Sequence, residues 1–364
     1  VEDYSPSQLE LPLFHPNDPR GDGTSPIWNG VEKFVQPAIY LDEKEILKLA
    51  DVVVDRIVSA IKSTDGTLPK ASLDEIINGF DGNVGVKMRS SEGLPLRLKR
   101  PQGANSKSWL YEDLPEGGKS IGPELQRAID IRTNAFKNGY VLPYEFTADL
   151  KDEPMKHHKI AANATRPVSG SPHDVHMTTM QSIAPLMAWV ARNPILHKSA
   201  IGMNPYSSDT TTMITEALRK GGYGFVGDYK TLDRTIRSFI TWVVCFYIPN
   251  KVSQECVDDW SVEDTNILSC AVSGMINPTM VIFGFWFTSL GEIFLQEMIG
   301  LKTWLEKAPE DMATPEKYYS LVYTLYLGDD DFHATKPAFQ PFYNAVELAK
   351  VAKKWFGVTY TSGN

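Results

Sequence analysis

Apolar residues recur at helical spacing in several parts of the chain. Residues 43–63 carry Ile, Leu, Val and Ala on one face, which predicts an amphipathic helix. Residues 236–248 are apolar on nearly every side, which predicts a buried helix. Residues 345–355 form a third, amphipathic helical pattern that Gly357 interrupts, and residues 358–361 have the composition of a short strand.

A strand pattern with acidic residues at its end occupies residues 323–332. An apolar, aromatic run leads to Gly328, Asp329 and Asp330 follow at once, and Phe332 resumes the apolar pattern. This order predicts a β-hairpin with Asp329 and Asp330 at its tip. Two interpretations remain open at this point. The turn is either an acidic surface turn, or half of a magnesium site that needs a further carboxylate from elsewhere.

The further carboxylate is found upstream, at the end of another short apolar strand. Residues 224–227 lead into Asp228, and Asp233 follows five positions later. A strand that carries Asp228 beside a hairpin that carries Asp329 and Asp330 places three carboxylates in one cleft. Such a cleft can hold two Mg²⁺ or Mn²⁺ ions, one activating an attacking oxygen and one stabilising a leaving oxygen. This is the chemistry of nucleotidyl transfer.

Composition sets broad limits on the class of protein. The 364 residues are 42% hydrophobic, enough for a large core, and residues 1–30 are expected to be irregular. The net charge of −9 is a weak argument against nucleic acid as a partner, because the cations are clustered. The three cysteines lack Cys-x-x-Cys spacing and are interpreted as reduced thiols of an intracellular protein. Neither a signal peptide nor a transmembrane segment is expected.

The basic cluster lies in residues 87–107, around a turn rich in serine, glycine and proline. The turn contains Ser90, Ser91, Gly93 and Pro95, and Lys99 and Arg100 follow it. Small residues permit close approach of a nucleic-acid backbone and cations neutralise its phosphates. A solvated basic loop is the equally good alternative.

Charges of both signs alternate from Lys151 to Arg166, in a segment that is interpreted as a β-ribbon. Lys159 and Arg166 could clamp a triphosphate, although a salt-bridged surface hairpin explains the same pattern. His173 and His176, which follow, are expected to start a helix rather than to bind zinc.

A serine–glycine pair precedes the second strongly apolar stretch. Ser273 and Gly274 are expected in a loop that leads into a helix, with Pro278 in its first turn. Such a loop can bend and can offer amides to a substrate, while an ordinary helix entry is the alternative.

The order of these segments resembles that of the RNA-dependent RNA polymerases of positive-strand RNA viruses, in the picornavirus-like arrangement. The resemblance covers residues 87–364 and implies an α+β right-hand polymerase fold. It implies fingers in residues 1–175 and a palm, with a small antiparallel sheet, in residues 176–364, without a thumb. The implied partners are an RNA template and primer, ribonucleoside triphosphates and other viral replication proteins. The implied locations are the host cytoplasm, membrane-associated replication complexes and the virion.

The resemblance also assigns roles to individual residues. The implied template contacts are Ser90, Ser91, Gly93, Pro95, Lys99, Arg100 and Gly274. The implied nucleotide contacts are Lys151, Lys159, Arg166, Asp233, Ser273 and Asn277, together with the acidic Asp152 and Glu153 of the ribbon. The implied catalytic residues are the metal-binding Asp228, Asp329 and Asp330, and Lys354 as the proton donor to pyrophosphate.

The chain departs from the family pattern at several positions. Leu327 stands where the family usually has a tyrosine, whose side chain is not a ligand. In the serine–glycine motif, Pro278 stands at the place of a threonine and Ile282 or Phe283 at the place of the asparagine that reads the ribose, so Asn277 is the candidate substitute. The leading functional hypothesis is RNA-templated RNA synthesis by a two-metal mechanism. The alternative is a catalytically weak or inactive polymerase-like module that binds RNA or a protein. A reverse transcriptase is disfavoured by Gly328 and by the basic ribbon before Asp228.

Overall fold

The computed structural model describes residues 9–13, 15–32, 40–80, 85–143, 145–230, 232–276 and 288–363. Its α-helices are α1 (Pro26–Glu32), α2 (Glu43–Thr64), α3 (Leu73–Asn78), α4 (Pro123–Lys137), α5 (His157–Ala161), α6 (His173–Arg192), α7 (Pro194–His197), α8 (Ser208–Lys220), α9 (Leu232–Thr235), α10 (Ser238–Trp242), α11 (Ile248–Cys256), α12 (Val262–Met275), α13 (Thr288–Lys307), α14 (Pro315–Leu321) and α15 (Ala345–Val351). Turns of 3₁₀-helix cover Leu96–Lys99, Lys107–Leu110 and Pro337–Phe339, and π-helical turns cover Val243–Tyr247 and Ala352–Phe356.

The strands are β1 (Leu9–Glu10), β2 (Tyr111–Asp113), β3 (Lys119–Ile121), β4 (Thr147–Leu150), β5 (Met155–Lys156), β6 (Pro167–Gly170), β7 (Tyr223–Tyr229), β8 (Tyr323–Leu327), β9 (Asp330–Thr335) and β10 (Tyr360–Ser362). Strands β10, β7, β9 and β8 form an antiparallel sheet in that order, here called the central sheet. The small antiparallel sheet predicted from the sequence is therefore confirmed, including the hairpin of β8 and β9.

Helix α2 begins and ends within one residue of the prediction. The Asp42 side chain accepts a hydrogen bond from the Glu45 amide and so caps the first turn. The buried face of α2 consists of the apolar positions that define its 3.6-residue period, and it packs against α11 and α13. The predicted helix start at His173 is confirmed as well.

The main hydrophobic core is continuous between α2 and the helices behind the central sheet. It includes Ile57 of α2, Trp189 of α6, Val252 of α11, Leu268 of α12 and Trp304 of α13. This core contains residues from both sides of the proposed boundary between residues 175 and 176, and that boundary stays a prediction. Among the described helices, none is both long enough and apolar enough to cross a lipid bilayer.

The expected end of the buried helix at Ile248 is wrong. Pro249 normally stops a helix because it lacks an amide donor. Here a π-helical turn over Val243–Tyr247 precedes it, and the helical backbone continues through Pro249 to Cys256. The predicted end of the third helix is confirmed: Gly357 follows the π-helical turn with a φ of 72°, and β10 comes next.

Candidate active site

Asp228 and Asp330 are direct cross-strand partners at one end of the central sheet. Asp228 of β7 faces Asp330 of β9, and Leu327 of β8 faces Asp330 from the other side. Gly328 and Asp329 form the two-residue connection between β8 and β9. Gly328 has a φ of 62° and Asp329 does not have a positive φ, which matches the backbone of the tight turns that favour glycine first. The three carboxylates predicted from the sequence therefore come together at the end of the central sheet where β8 turns into β9.

The electrostatics of this edge favour a cation. Partial burial, followed by the charges of Asp329 and Asp330, raises the pKa of Asp228 above its ordinary value. Partial burial, followed by the charges of Asp329 and Asp331, likewise raises the pKa of Asp330. Carboxylate oxygens are the donors that Mg²⁺ and Mn²⁺ prefer, so this donor set fits such ions. In the described part of the chain, no three His, Cys, Asp or Glu side chains are already drawn together as a metal cage.

Two hydrogen bonds hold the backbone beside the carboxylates. The amide nitrogen of the buried Gln296 side chain, on α13, donates to the Gly328 carbonyl oxygen at 2.7 Å. The Thr361 hydroxyl, on β10, donates to the Asp228 carbonyl oxygen at 2.9 Å. These contacts come from segments that precede and follow the hairpin by more than 25 positions, so only the folded chain assembles them.

Asp331 does not belong to the carboxylate cluster, although it follows Asp330 directly. Successive side chains of a strand point to opposite faces, and Asp331 is only 4% exposed on the inner face. Its carboxylate accepts from the Tyr360 hydroxyl at 2.8 Å and contacts Nε2 of His333 at 3.1 Å. Sequence reasoning missed Asp331, His333 and Tyr360. The two-residue period of a strand is the signal that could have separated Asp331 from Asp330.

The basic ribbon is built from β4 and β6, with helix α5 inserted between them. At one end of the ribbon, Glu153 lies between Lys151, at 2.7 Å, and Arg166, at 3.0 Å. The hydrogen bonds from Lys151 and from Arg166 lower the pKa of Glu153 and outweigh partial burial, which raises it. Lys159 on α5 is exposed, and no ion pair joins it to another described residue.

The expected template-entry turn is present, and its glycine is required by close packing. Gly93 has a φ of 67°, and a Cβ atom there would lie 2.4 Å from the Ser171 carbonyl oxygen, just before α6. Ser91 accepts a hydrogen bond from the Gly93 amide at 3.2 Å, and Ser90 donates to the Lys87 carbonyl oxygen at 2.9 Å. Pro95 is exposed and precedes the first 3₁₀ turn.

Lys99 and Arg100 are both engaged in ion pairs. Lys99 pairs with Glu124 on α4. Arg100 forms two hydrogen bonds of 2.6 Å to the carboxylate of Glu92, which is fully buried. The structure thus does not present these two cations freely to a nucleic acid, in contrast to Lys87 and Arg89. Both of these are exposed, and neither forms an ion pair with another described residue.

The expected loop at Ser273 and Gly274 is wrong. Both residues lie in the last turn of α12, which ends at Met275, because the apolar pattern of α12 continues through Val272 and Met275 into the core. Asn277 and Pro278 lie outside the described residues. Asp233 belongs to the backbone of α9, and its side chain is outside the described part.

Lys354 lies in the π-helical turn after α15 rather than among the carboxylates. Its Nζ atom is 3.1 Å from Oε1 of Glu306 on α13 and 4.9 Å from the centroid of the Trp355 ring. In the described part of the chain, no hydrogen bond or ion pair joins Lys354 to Asp228, Asp329 or Asp330.

Comparisons with known proteins agree with this geometry. The chain is 27% identical over 321 residues to the genome polyprotein of Rice tungro spherical virus, which covers 80% of this chain and 9% of the polyprotein. It is 23% identical to the RNA1 polyprotein of Tomato ringspot virus, over 99% of this chain and 17% of the polyprotein. The chain therefore spans a small part of these relatives.

A solved structure has the same fold. The Sicinivirus 3Dpol RNA-dependent RNA polymerase superposes with a TM-score of 0.75 at 17% identity, over 99% of this chain and 71% of that one. The right-hand polymerase fold predicted from the sequence is thereby confirmed. A family model for viral RNA-dependent RNA polymerases matches residues 2–364, and the chain belongs to that family.

Proposed function

We propose that this chain catalyses RNA-templated RNA synthesis, in which a primer 3′-hydroxyl attacks the α-phosphate of a ribonucleoside triphosphate and pyrophosphate leaves. The observation that carries the proposal is the cross-strand pair of Asp228 and Asp330, with Asp329 in the adjoining turn. Membership of the viral polymerase family supports the same reaction.

Asp228, Asp329 and Asp330 are the residues that would hold two Mg²⁺ or Mn²⁺ ions. When bound, such ions activate the attacking hydroxyl and stabilise the charge of the leaving group. The antiparallel pairing of β7 and β9 sets the separation of Asp228 and Asp330, so the protein positions these carboxylates through its backbone. The mutual repulsion of the carboxylates is relieved when a cation neutralises them.

The incoming nucleotide is proposed to lie against the ribbon of β4 and β6. Lys151 and Arg166 share one carboxylate, Glu153, so two cations face a single anion at this end of the ribbon. Lys159 adds a third, exposed cation. The proposed roles of Asp233 and Asn277 at the ribose, of Ser273 as a nucleotide contact, and of Lys354 in proton donation come from the family resemblance alone.

The template is proposed to approach the turn at residues 90–95. Lys87 and Arg89 are exposed cations there that form no ion pair with another described residue, and the positive φ of Gly93 allows the turn to pack closely on the start of α6. The relatives are viral polyproteins, which supports action in the host cell beside other products of the same polyprotein. Membrane-associated complexes, and the virion as a further location, belong to this proposal.

Incorporation of labelled ribonucleotide on a primed homopolymer template tests the proposal. Wild-type protein should incorporate label with Mg²⁺ or Mn²⁺ and should stop when the cation is chelated. Asp330→Asn and Asp228→Asn should each lose at least about a hundredfold in rate, since each removes a charged donor from the site. The matched control is Asp311→Asn, a carboxylate in the exposed turn before α14. Incorporation that survives both substitutions, or that persists in chelator, would falsify the proposal.

A further inference from the structure

Behind the carboxylate cluster, one side chain ties three strands of the central sheet together. The Tyr360 hydroxyl on β10 reaches across β7 and donates a hydrogen bond of 2.8 Å to the Asp331 carboxylate on β9; this link is here called the Tyr360–Asp331 tie. The hydroxyl crosses at Gly227, which is the direct cross-strand partner of Asp331. A Cβ atom on Gly227 would lie 2.0 Å from both Cζ and the hydroxyl oxygen of Tyr360. The path exists only because residue 227 has no side chain.

The far end of this tie is a satisfied buried carboxylate. Asp331 is 4% exposed, and its second oxygen contacts Nε2 of the fully buried His333 at 3.1 Å. The other ring nitrogen of His333 lies 2.8 Å from the Tyr343 hydroxyl, and the Phe225 ring stacks on the imidazole at 4.8 Å. A buried carboxylate with these partners is confined to one orientation, because leaving it unpaired would be costly.

On each of the three strands, the residue that takes part in the tie is adjacent to a residue of the candidate active site. Gly227 precedes Asp228, Asp331 follows Asp330, and Tyr360 precedes Thr361, whose hydroxyl binds the Asp228 carbonyl oxygen. Burial, then the Asp331 charge and hydrogen bond, raises the pKa of Tyr360 well above its ordinary value, so the hydroxyl remains a donor.

We propose that Tyr360 and Asp331, meeting across Gly227, are positioning residues that set the relative placement of Asp228 and Asp330 for the divalent cations. This inference rests on the proposed function, since it assigns a purpose to the spacing of those two carboxylates. The tie acts through the backbones of β7 and β9 and touches neither the substrate nor the cations.

Tyr360→Phe is the sharpest test, because it removes one hydroxyl and leaves the ring in place. Mn²⁺ affinity by isothermal titration should weaken by about tenfold, as is common when groups supporting a metal ligand are removed. The kcat for nucleotide incorporation should fall by about tenfold, with the KM for nucleotide unchanged. Amide hydrogen exchange of residues 226–230 and 329–332 should become faster.

The chain offers a matched control on the same face. Tyr229 is buried on β7, its ring lies 5.0 Å from that of Tyr360, and its hydroxyl has no hydrogen-bond partner among the described residues. Tyr229→Phe should therefore change neither Mn²⁺ affinity nor kcat. Gly227→Ala should reproduce the Tyr360→Phe effect, because its methyl group blocks the path.

A double-mutant cycle separates the tie from general loosening of the sheet. Tyr360→Phe should have no further effect on Mn²⁺ affinity in an Asp331→Ala background, whereas independent effects would add. Asp331→Asn, which retains an oxygen acceptor for Tyr360, should keep more affinity than Asp331→Ala. Urea unfolding of each variant verifies that it is folded under the conditions of the titration.

The outcomes distinguish this inference from the proposed function. If folded Tyr360→Phe matches Tyr229→Phe in Mn²⁺ affinity, kcat and amide exchange, the positioning role is overturned. If wild-type protein fails to incorporate nucleotide, the proposed function fails, while the comparison of Mn²⁺ affinity and amide exchange still decides whether the tie positions the two strands.

Discussion

Arg56 and Glu297 form a bidentate ion pair between α2 and α13, across 241 positions of sequence. Nε of Arg56 is 2.5 Å from one carboxylate oxygen, and Nη2 is 2.7 Å from the other. The Glu297 side chain is fully buried and that of Arg56 is 13% exposed. Gln296, the residue before Glu297, donates a hydrogen bond to the Gly328 carbonyl oxygen of the β8–β9 hairpin, so this ion pair anchors the helix that supports the hairpin.

Breaking this buried pair should be costly. Glu297→Gln leaves the Arg56 guanidinium without its counter-charge, and we expect the free energy of unfolding to fall by about 3 kcal/mol. Urea unfolding at neutral pH measures it. The control is Glu255→Gln, in the exposed pair with Lys62 at 3.1 Å, which should change stability by less than about 1 kcal/mol. Equal losses for both variants would contradict the structural role of the buried pair.

The carboxylate cluster should lower stability when no cation is bound. Because the pKa of Asp228 is raised in the folded state, the folded protein binds a proton more readily than the unfolded chain. The resulting penalty is present at neutral pH and disappears as the pH falls through the raised value. Metal-free Asp228→Asn should therefore be at least as stable as wild type at pH 7, with an advantage that shrinks in acid.

Added Mg²⁺ should reverse that order of stability. A cation that binds the folded wild type more tightly than the variant stabilises the wild type by mass action. Thermal unfolding with chelator and with a Mg²⁺ series provides the comparison. A metal-free Asp228→Asn protein that is clearly less stable than wild type at pH 7 would argue against repulsion at the cluster.

Lys198 should make stability depend on pH in the neutral to alkaline range. Its Nζ atom is buried without a hydrogen-bond partner among the described residues, 4.5 Å from the centroid of the Tyr319 ring. Burial, opposed by the charge of Glu297 and helped by the charges of Arg56 and Lys220, lowers the pKa of Lys198 to about 7. Above pH 7 the unfolded chain therefore holds a proton that the folded protein has lost, and stability rises with pH.

Lys198→Met should remove this dependence. The variant should be more stable than wild type at pH 6, and the difference should narrow by up to about 1.4 kcal/mol for each pH unit above 7. Urea unfolding from pH 6 to pH 9 measures the difference. The control Lys62→Met, at a half-exposed position of α2, should show a constant difference. A constant difference for Lys198→Met as well would mean that the buried amine stays charged.

Arg89 and Arg100 should differ in how their loss affects RNA binding. Arg89 is exposed, and Arg89→Ala should lower the slope of log affinity against log salt by about 0.7 for a single-stranded template. Arg89→Lys keeps the charge and should keep the slope. Filter binding across a salt series measures both.

Arg100→Ala should act on stability instead. It strips the two 2.6 Å hydrogen bonds from the buried Glu92 carboxylate, and we expect a loss of about 3 kcal/mol in the free energy of unfolding. A folded Arg100→Ala protein of wild-type stability with a reduced salt slope would restore the sequence-based assignment of Arg100 to the template.

Local sequence pattern was sufficient to predict much of the candidate active site. Gly328 before Asp329, between two apolar runs, specifies a tight hairpin, because only a positive φ at that point lets the strands pair. The 3.6-residue period of α2 and the glycine after α15 determined those helices in the same way. The sequence also predicted that Asp228 lies beside the hairpin, because both strands are apolar runs that end in aspartate.

The tertiary structure decided which charged groups are free and which are already paired. Lys99 and Arg100 have the sequence pattern of phosphate contacts, but the fold pairs them with Glu124 and Glu92. Glu124 lies 25 positions from Lys99, and Glu92, although only eight positions from Arg100, becomes a buried partner only in the folded chain. Ser273 and Gly274 were placed in a helix because the core on either side of them holds α12. Asp331 became a buried anchor because β10, formed by the last described residues, brings Tyr360 across Gly227 to meet it. Sequence specifies the conformation of a segment, whereas the environment of a charge depends on residues that only folding brings near.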